Sequence, residues 1–488
     1  MIPRPFNGRY GAMLTVAIFA LAPFIVVTTA FALFSKQIGA DASIDSTGLE
    51  IINGLATAGY AFGALLGGDV INRFPQRQLF LICESIFIVG SLLAATAGGA
   101  IAFGSGSILQ GFATGLMLVV ALPPVIRRFP AGKMPITSAA VNIGFFGATT
   151  AGPLVGGAVA MAHVWRWFYG GLAGIGVLVF LLAVLSLPDQ EPQNRSMKFD
   201  SHAIAFGLGA TFLSFYAAGA LVGNGFASFR FTIPLGIGFV CFVALILTQY
   251  HKEEPLSPVK PMWNTFPITG TIIAMIGGGA FITFLELALR FALQVQHQTP
   301  LAAGLAFWPQ VAGAIISAVL LGALIRTRYL PVLILAGMLC LVAAGVVLMQ
   351  MGGPHSQAVV MSAAGLMGLG AGGTVAPALW LAGFALPSKM VGRTFALVEL
   401  VRSVADFILA PVILEVAHVA SASTAPTPHG LAEAAWYTVL VTIAATALCA
   451  VLYLLSGAGL PTPDLDKWLS QNQPALHSPS IGAALRKA

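Results

Sequence analysis

Residues 58–81 read AGYAFGALLGGDVINRFPQRQLFL: an apolar run, a short basic segment and the start of a second apolar run. Apolar runs of about 20 residues are long enough to cross the roughly 30 Å hydrocarbon core of a bilayer as helices. The basic segment contains Arg73 and Arg77, and Lys and Arg concentrate in the cytoplasmic loops of membrane proteins. This stretch therefore predicts two transmembrane helices joined by a short cytoplasmic loop.

The same alternation of apolar runs and polar breaks continues along the whole chain. Of the 488 residues, 58% are hydrophobic and only 8% are charged, and the mean hydropathy is +0.90. A soluble domain with a polar surface is excluded by this composition. The first run is too long for a signal-peptide core, so we expect it to remain as helix 1. The sequence predicts an all-α membrane protein with fourteen transmembrane helices, at residues 12–34, 49–71, 79–97, 101–126, 135–161, 168–187, 203–222, 232–250, 267–293, 301–325, 330–350, 357–386, 391–415 and 433–456.

The distribution of basic residues predicts the orientation of the chain. Most of the 23 Lys and Arg residues fall at the termini and in alternate loops, so the positive-inside rule places both termini in the cytoplasm. The net charge of +6 is explained by this topology, and we infer no nucleic-acid partner from it. We expect a monomeric, multi-pass protein in the lipid bilayer of a bacterial inner (plasma) membrane.

Two polar segments divide the chain. Residues 188–202 and 251–266 are the longest interior breaks, and both contain helix-stopping prolines. Residues 312–335 (AGAIISAVLLGALIRTRYLPVLIL) echo residues 58–81, although Gly, Ala and Leu recur in any membrane helix and can produce such an echo by chance. Two related halves with a substrate site between them are a common transporter architecture. We expect an N-terminal six-helix bundle (1–187), a linker with two inserted helices (188–266), a C-terminal six-helix bundle (267–456) and a cytoplasmic tail (457–488).

Charged residues inside the predicted helices are candidate functional residues, because a charge at the bilayer centre costs about 2.5–3.5 kcal/mol. Helix 13 holds Glu399, Arg402 and Asp406, whose spacings of three and four place them on one face. One carboxylate can pair with Arg402 while the other takes up a proton, as a proton-coupled site requires; a structural ion pair is the alternative. Helix 9 holds Glu286 and Arg290 at i and i+4, which either line the other side of the site or neutralise each other near the outer surface.

Cofactor chemistry and enzymatic catalysis are not indicated. The four cysteines are far apart in the predicted helices and the histidines lie mostly in loops, so neither set forms a metal or disulfide pattern. The sequence contains no nucleophile-elbow motif and no nucleotide-binding loop. We therefore expect no cofactor, no bound metal and no enzyme activity.

Two segments resemble patterns of the major facilitator superfamily, specifically of its fourteen-helix drug:proton antiporters. Residues 68–79 (GDVINRFPQRQL) are similar to the cytoplasmic loop between helices 2 and 3, and the resemblance gives this loop, with Asn72, Arg73 and Arg77, a gating role. Residues 152–157 (GPLVGG) match the antiporter pattern of helix 5. Small residues also let helices approach closely and proline kinks a helix, whatever the family. The helix 5 candidates are Gly152, Pro153, Gly156 and Gly157.

Other positions both support the resemblance and depart from it. Arg402 resembles a characteristic arginine of the fourteen-helix branch, and Gln110 with Gly111 keeps part of the helix 4 motif. Ser107 stands where the family usually has an arginine, and residues 26–30 (VVTTA) of helix 1 lack the usual acid. Either proton coupling has moved to the second half, or the chain is not a conventional proton antiporter.

Three functional hypotheses follow. The first is proton-driven export of a small amphipathic compound or drug by alternating access, with the compound and protons as partners and the helix 13 charges as the centre. The second is a uniporter or importer of an organic acid or nutrient without proton exchange. The third, a membrane subunit of a proton-pumping complex, is disfavoured because such subunits depend on buried lysines and every Lys here falls in a loop, terminus or helix end. Glu84 is expected to be structural, since helix 3 is peripheral in the superfamily. Most aromatic residues are expected to face lipid or the membrane interfaces, and a minority lining a cavity between the halves would suit an apolar or aromatic substrate. The aromatic residues include Phe145, Phe146, Trp308, Trp380 and Phe384.

Overall fold

The computed structural model describes residues 4–191, 200–221, 223–252, 255–421, 427–481 and 483. These residues form α-helices joined by short loops and contain no β-strand. Four of the basic residues that predicted a cytoplasmic location lie outside the described residues: Arg195, Lys198, Arg486 and Lys487.

The long helices agree closely with the predicted spans. Within the described ranges they are α1 (Tyr10–Ala42), α2 (Ser46–Val70), α3 (Gln76–Ala95), α4 (Ala100–Arg128), α5 (Ala131–Ala162), α6 (Trp165–Ser186), α7 (Ser201–Leu221), α8 (Phe229–His251), α9 (Thr265–Val295), α10 (Pro300–Leu324), α11 (Leu330–Leu348), α12 (Ser356–Phe384), α13 (Val391–Ser421) and α14 (Pro428–Ser456). Thirteen of them are long and apolar enough to cross a membrane. The fourteenth, α13, is 31 residues long and carries Glu399, Arg402 and Asp406. A short helix, α15 (Leu465–Gln471), follows.

Side-chain caps mark the start of several helices, and two helices contain a π-helical turn. The Asp45 side chain accepts a hydrogen bond from Gly48 N–H (3.1 Å) and caps α2, and Thr427 caps α14 in the same way. Two helices contain a wider, π-helical turn, Ile143–Gly147 in α5 and Phe291–Val295 in α9. Such turns inside helices are frequently found at functional sites.

Small residues allow the helices to pack closely. A side chain on Gly63, Gly111 or Gly115 would collide with backbone atoms of the partner helix, so α2 and α4 are in direct backbone contact. The pair α7 and α8 pack on each other, and α7 also contacts α2 and α13. These contacts are compatible with a plan of six, two and six helices, whose exact boundaries stay a prediction.

The N-terminal residues lie at one end of the helix bundle, together with the α2–α3 and α6–α7 connections. Arg4 and Arg77 both donate to the Asp189 carboxylate, at 2.5 and 3.2 Å. These hydrogen bonds hold the pKa of Asp189 below its usual value. The interaction connects three separate segments of the chain at the bundle end.

The C-terminal segment covers the same end. The Trp468 side chain in α15 is fully buried, and its indole N–H donates to the Leu386 carbonyl (2.8 Å) between α12 and α13. Helix α15 also lies beside Ala131–Lys133 at the start of α5. We call this end, marked by Arg4 and Trp468, the terminal face, and the other end the opposite face. Termini at one end agree with an even number of spans.

Candidate functional site

A buried cluster of charges lies halfway along α13. Arg402 Nε donates to Glu399 Oε2 (3.0 Å), and the guanidinium also donates to Glu399 Oε1 and Asp406 Oδ2. The three residues are 2%, 9% and 7% exposed, and they share one helix face, as their spacing requires. The expectation that only one carboxylate pairs with Arg402 was wrong, because the forked guanidinium reaches both.

Tyr60 joins this α13 cluster from α2. Its hydroxyl donates to Glu399 Oε1 (2.8 Å). Asp406 Oδ1, by contrast, has no hydrogen-bond partner among the described residues. Two carboxylates and one guanidinium leave one excess negative charge, which a proton or a bound cation can neutralise.

The α13 cluster lies between two cavities. The larger cavity, about 180 Å³, is lined by Arg402 and Asp406 and extends toward the opposite face. The smaller, about 40 Å³, is lined by Glu399 and lies toward the terminal face. Phe145 and Phe146, in the π-helical turn of α5, line both cavities, and the Arg402 guanidinium lies 5.8 Å from the centre of the Phe145 ring. The cluster and the two rings thus form the barrier between the cavities.

A second charged group lines the larger cavity nearer the opposite face. Glu286 and Arg290 of α9 form an ion pair of 2.6 Å. Glu50, near the start of α2, lines the same cavity and interacts electrostatically with both. The structure therefore brings Glu286 and Arg290 into the cavity that also contains Asp406.

A polar stripe of α2, which was not predicted from the sequence, faces the larger cavity. Glu50, Asn53, Thr57 and Tyr60 all line the larger cavity. Their spacings of three, four and three follow one face of a helix, and this periodicity was available in the sequence. Glu50 falls at the end of the predicted span 49–71, where a carboxylate is ordinary, and a single tyrosine in an apolar helix is typical of a packing residue.

The glycine and proline residues of α5 pack against two helices. Gly152 and Gly156 face α1, where an added side chain would meet Thr29 or backbone atoms. Gly157 and the Pro153 carbonyl face α10, at the point where Gly304 allows close approach. None of these α5 residues lines the larger cavity, so their observed role is helix packing.

The α2–α3 connection is held by local hydrogen bonds. Arg73 forms a two-point ion pair with the buried Asp69 carboxylate (2.8 and 2.9 Å). The Asn72 amide donates to a carbonyl one turn earlier in α2 (2.9 Å), and Arg77 binds Asp189. These residues lie at the terminal face and line neither cavity.

Three other residues singled out in the sequence lie away from the larger cavity. Gln110 Nε2 donates to Ser91 Oγ (2.7 Å) between α4 and α3, and Gly111 lies against the α2 backbone. Glu84 is buried where α3 packs on Gly176 of α6. These three residues make contacts between helices and do not line the larger cavity.

The chain matches the Major Facilitator Superfamily over residues 12–410. It therefore belongs to the Major Facilitator Superfamily, and it is an all-α, multi-pass membrane protein. The resemblance read from the sequence is confirmed at this level.

Relatives in this family include named drug-resistance proteins. The uncharacterized MFS-type transporter YubD of Bacillus subtilis is 27% identical, over 55% of this chain and 53% of the relative. A multidrug resistance protein B homolog of Mycobacterium tuberculosis is 28% identical, over 57% and 52%. The tetracenomycin C resistance and export protein of Streptomyces glaucescens is 26% identical, over 72% and 62%. The chain spans about half the length of the first two relatives.

Solved structures share the fold at low sequence identity. The human organic anion transporter MFSD10 (TETRAN) superposes with a TM-score of 0.60 at 14% identity, over 91% of this chain and all of that one. A POT family transporter in complex with 5-aminolevulinic acid gives 0.63 at 16% identity, over 92% and 98%. The family and the transporter names of its relatives agree with the expectation of a transporter rather than an enzyme.

Proposed function

We propose that this protein is a secondary transporter that exports a small amphipathic compound or drug across a bacterial inner membrane by proton antiport. The supporting observation is the α13 cluster at the barrier between two cavities. Its excess negative charge requires a counter-charge in this buried position. A proton and a cationic substrate group can each supply it, and competition between them at one carboxylate couples the two movements.

Asp406 is the proposed exchanging group. Arg402 binds one of its oxygens, and the other, Oδ1, is buried near Gly278 without a hydrogen-bond partner among the described residues. Tyr60 and Arg402 hold Glu399 in place, so Asp406 is the carboxylate free to bind a proton or substrate. Rocking of the two halves would close the larger cavity and widen the smaller one, exposing the cluster to the terminal face. With both termini in the cytoplasm, the larger cavity faces outward. The proposed transporter acts as a monomer.

The wall of the larger cavity supports a cationic, aromatic substrate. Its excess negative charge attracts cations, and aromatic rings bind both apolar groups and cations. The volume of about 180 Å³ is below the roughly 300–1,000 Å³ of sites that hold drug-sized ligands, so binding such a compound requires a wider conformation. The lining phenylalanines are Phe24, Phe31, Phe145, Phe146, Phe281 and Phe407.

Transport of an organic acid or nutrient without proton exchange is the second candidate. It is supported by α1, whose cavity-lining residues are all non-ionisable. It is also supported by Ser107, whose hydroxyl donates to the Phe103 carbonyl (2.9 Å) and bonds no other described residue. The superfamily assignment argues against the third hypothesis, a subunit of a proton-pumping complex.

Everted vesicles with fluorescent aromatic cations, beginning with ethidium, test the proposal. Wild type should transport ethidium with a dependence on the proton gradient that a protonophore abolishes. Asp406→Asn and Glu399→Gln should each lose this dependence, whereas Glu84→Gln, a buried carboxylate outside the cavity, should keep it. If both α13 variants transport as wild type does, the assignment is wrong, and transport that ignores the protonophore selects the second candidate.

A further inference from the structure

Glu50, Glu286 and Arg290 form a group with the same composition as the α13 cluster. Arg290 Nε donates to Glu286 (2.6 Å). Glu50 has no hydrogen bond or ion pair with any described residue, and the charged groups that act on it are Glu286 and Arg290. Its other neighbours along the cavity wall, Asn53 and Thr57, are uncharged. Two carboxylates and one guanidinium again leave one excess negative charge.

The distance between the two groups follows from α9. The Asp406 carboxylate packs against Gly278, and Glu286 lies eight residues further along the same helix. At 1.5 Å per residue, the separation along the axis is about 12 Å. Direct proton transfer needs a hydrogen bond of about 3 Å, so any transfer between the groups requires water.

The cavity has room for that water. Its volume of about 180 Å³ corresponds to roughly six molecules at about 30 Å³ each. Polar side chains on two walls, including Asn53 and Thr57, offer hydrogen-bond partners along its length. A chain of about three waters, joined by four hydrogen bonds of about 3 Å, would connect Glu286 with Asp406.

We propose that Glu50, Glu286 and Arg290 form a second proton-binding site, through which protons from the opposite face reach Asp406. One of the two carboxylates takes a proton from a hydronium ion and becomes a neutral acid, leaving water. The proton then passes along the water chain to the Asp406 carboxylate, and the first carboxylate is restored. Arg290 keeps the remaining carboxylate ionised throughout. The inference rests on the proposed proton antiport and adds its entry route.

The charge balance predicts which variants lose the site. In Glu50→Gln, Arg290 and Glu286 neutralise each other and no excess charge remains to bind a proton. Glu286→Gln leaves the matching pair of Arg290 and Glu50. Either single substitution should therefore remove one proton-binding event, and Glu50→Asp should retain it.

Infrared difference spectroscopy of the full chain in lipid vesicles measures proton binding directly, with the proton itself as ligand. The two buffers are an alkaline one and one of about pH 6, which lies above the usual glutamate pKa of about 4.3. The carboxylic C=O signal of wild type should fall by a similar amount in Glu50→Gln, Glu286→Gln and Asp406→Asn. Glu415→Gln is the matched control, because Glu415 is a carboxylate of α13 outside the lining of the larger cavity. It should leave the carboxylic C=O signal of the difference spectrum unchanged.

The outcomes separate the inference from the proposed function. The second site is overturned if Glu50→Gln and Glu286→Gln give the wild-type spectrum while Asp406→Asn gives a reduced signal. The proposed function then still stands. A signal reduced in the Glu50 and Glu286 variants but unchanged in Asp406→Asn supports the second site and contradicts Asp406 as the exchanging group.

Discussion

Tyr60 is the residue that connects the α13 cluster to the first half of the chain. It is 2% exposed, lines the larger cavity and donates to Glu399 across the contact of α2 with α13. A buried hydrogen bond to a charged group contributes about 1.5–3 kcal/mol. Tyr60→Phe should lower the free energy of unfolding by this order, measured as a lower Tm in detergent. Tyr216→Phe, whose hydroxyl has no partner among the described residues, is the control, and equal shifts in both variants would contradict this role.

For single residues, the sequence shows which ones are functional candidates better than it shows which of them contact one another. Glu399, Arg402 and Asp406 stand out because ionisable residues are rare in apolar helices. Their mutual geometry depends on side-chain rotamers and on Tyr60, which comes from a distant segment. The spacing of Glu50 from Tyr60 can be read in the sequence, but the approach of Glu50 to Glu286 and Arg290 cannot, because it depends on how α2 and α9 pack.

Among the helices, the contact of α1 with α5 depends on Gly156. A side-chain carbon there would lie 2.5 Å from the Ala30 carbonyl oxygen and 2.9 Å from its Cα. Gly156→Ala should push the two helices apart and destabilise the protein by about 1–3 kcal/mol. Gly174→Ala, on an exposed face of α6 with nothing within 4 Å, should be neutral or slightly stabilising. Thermal unfolding of the two variants compares them, and a neutral Gly156→Ala would exclude tight packing at this contact.

The docking of α15 depends on Trp468. Removing its buried ring leaves a cavity, which typically costs about 3–5 kcal/mol, and also loses the hydrogen bond to Leu386. Trp468→Ala should therefore release residues 464–479 from the terminal face, detected as faster limited proteolysis there. Leu460→Ala, at a position 45% exposed, should cleave as wild type does. Unchanged proteolysis of Trp468→Ala would mean that other contacts hold the segment.

Helix α15 also shows why some elements were not foreseen. Seven residues give too little periodicity to identify a helix, and its position is set by contacts with residues near 131 and 386. The long helices were predicted because a membrane span needs about 20 mostly apolar residues in a row, whatever packs against it.

For the whole molecule, the sequence predicted the number of helices and the family, while the arrangement needed the structure. Hydropathy does not say which helices touch, so neither the two cavities nor the meeting of α2, α9 and α13 could be derived. The orientation in the membrane and the boundaries of the bundles stay predictions. The proposed function depends on proton exchange at Asp406, because this step would couple the α13 cluster to transport between the two cavities.

Ethidium transport by Asp406→Asn in proteoliposomes tests that account most directly. Asparagine preserves the shape of the side chain but cannot ionise. The variant should fail to accumulate ethidium in response to an imposed pH gradient, yet still exchange ethidium across the membrane at equal pH. Gradient-driven accumulation equal to that of wild type would contradict proton exchange at Asp406.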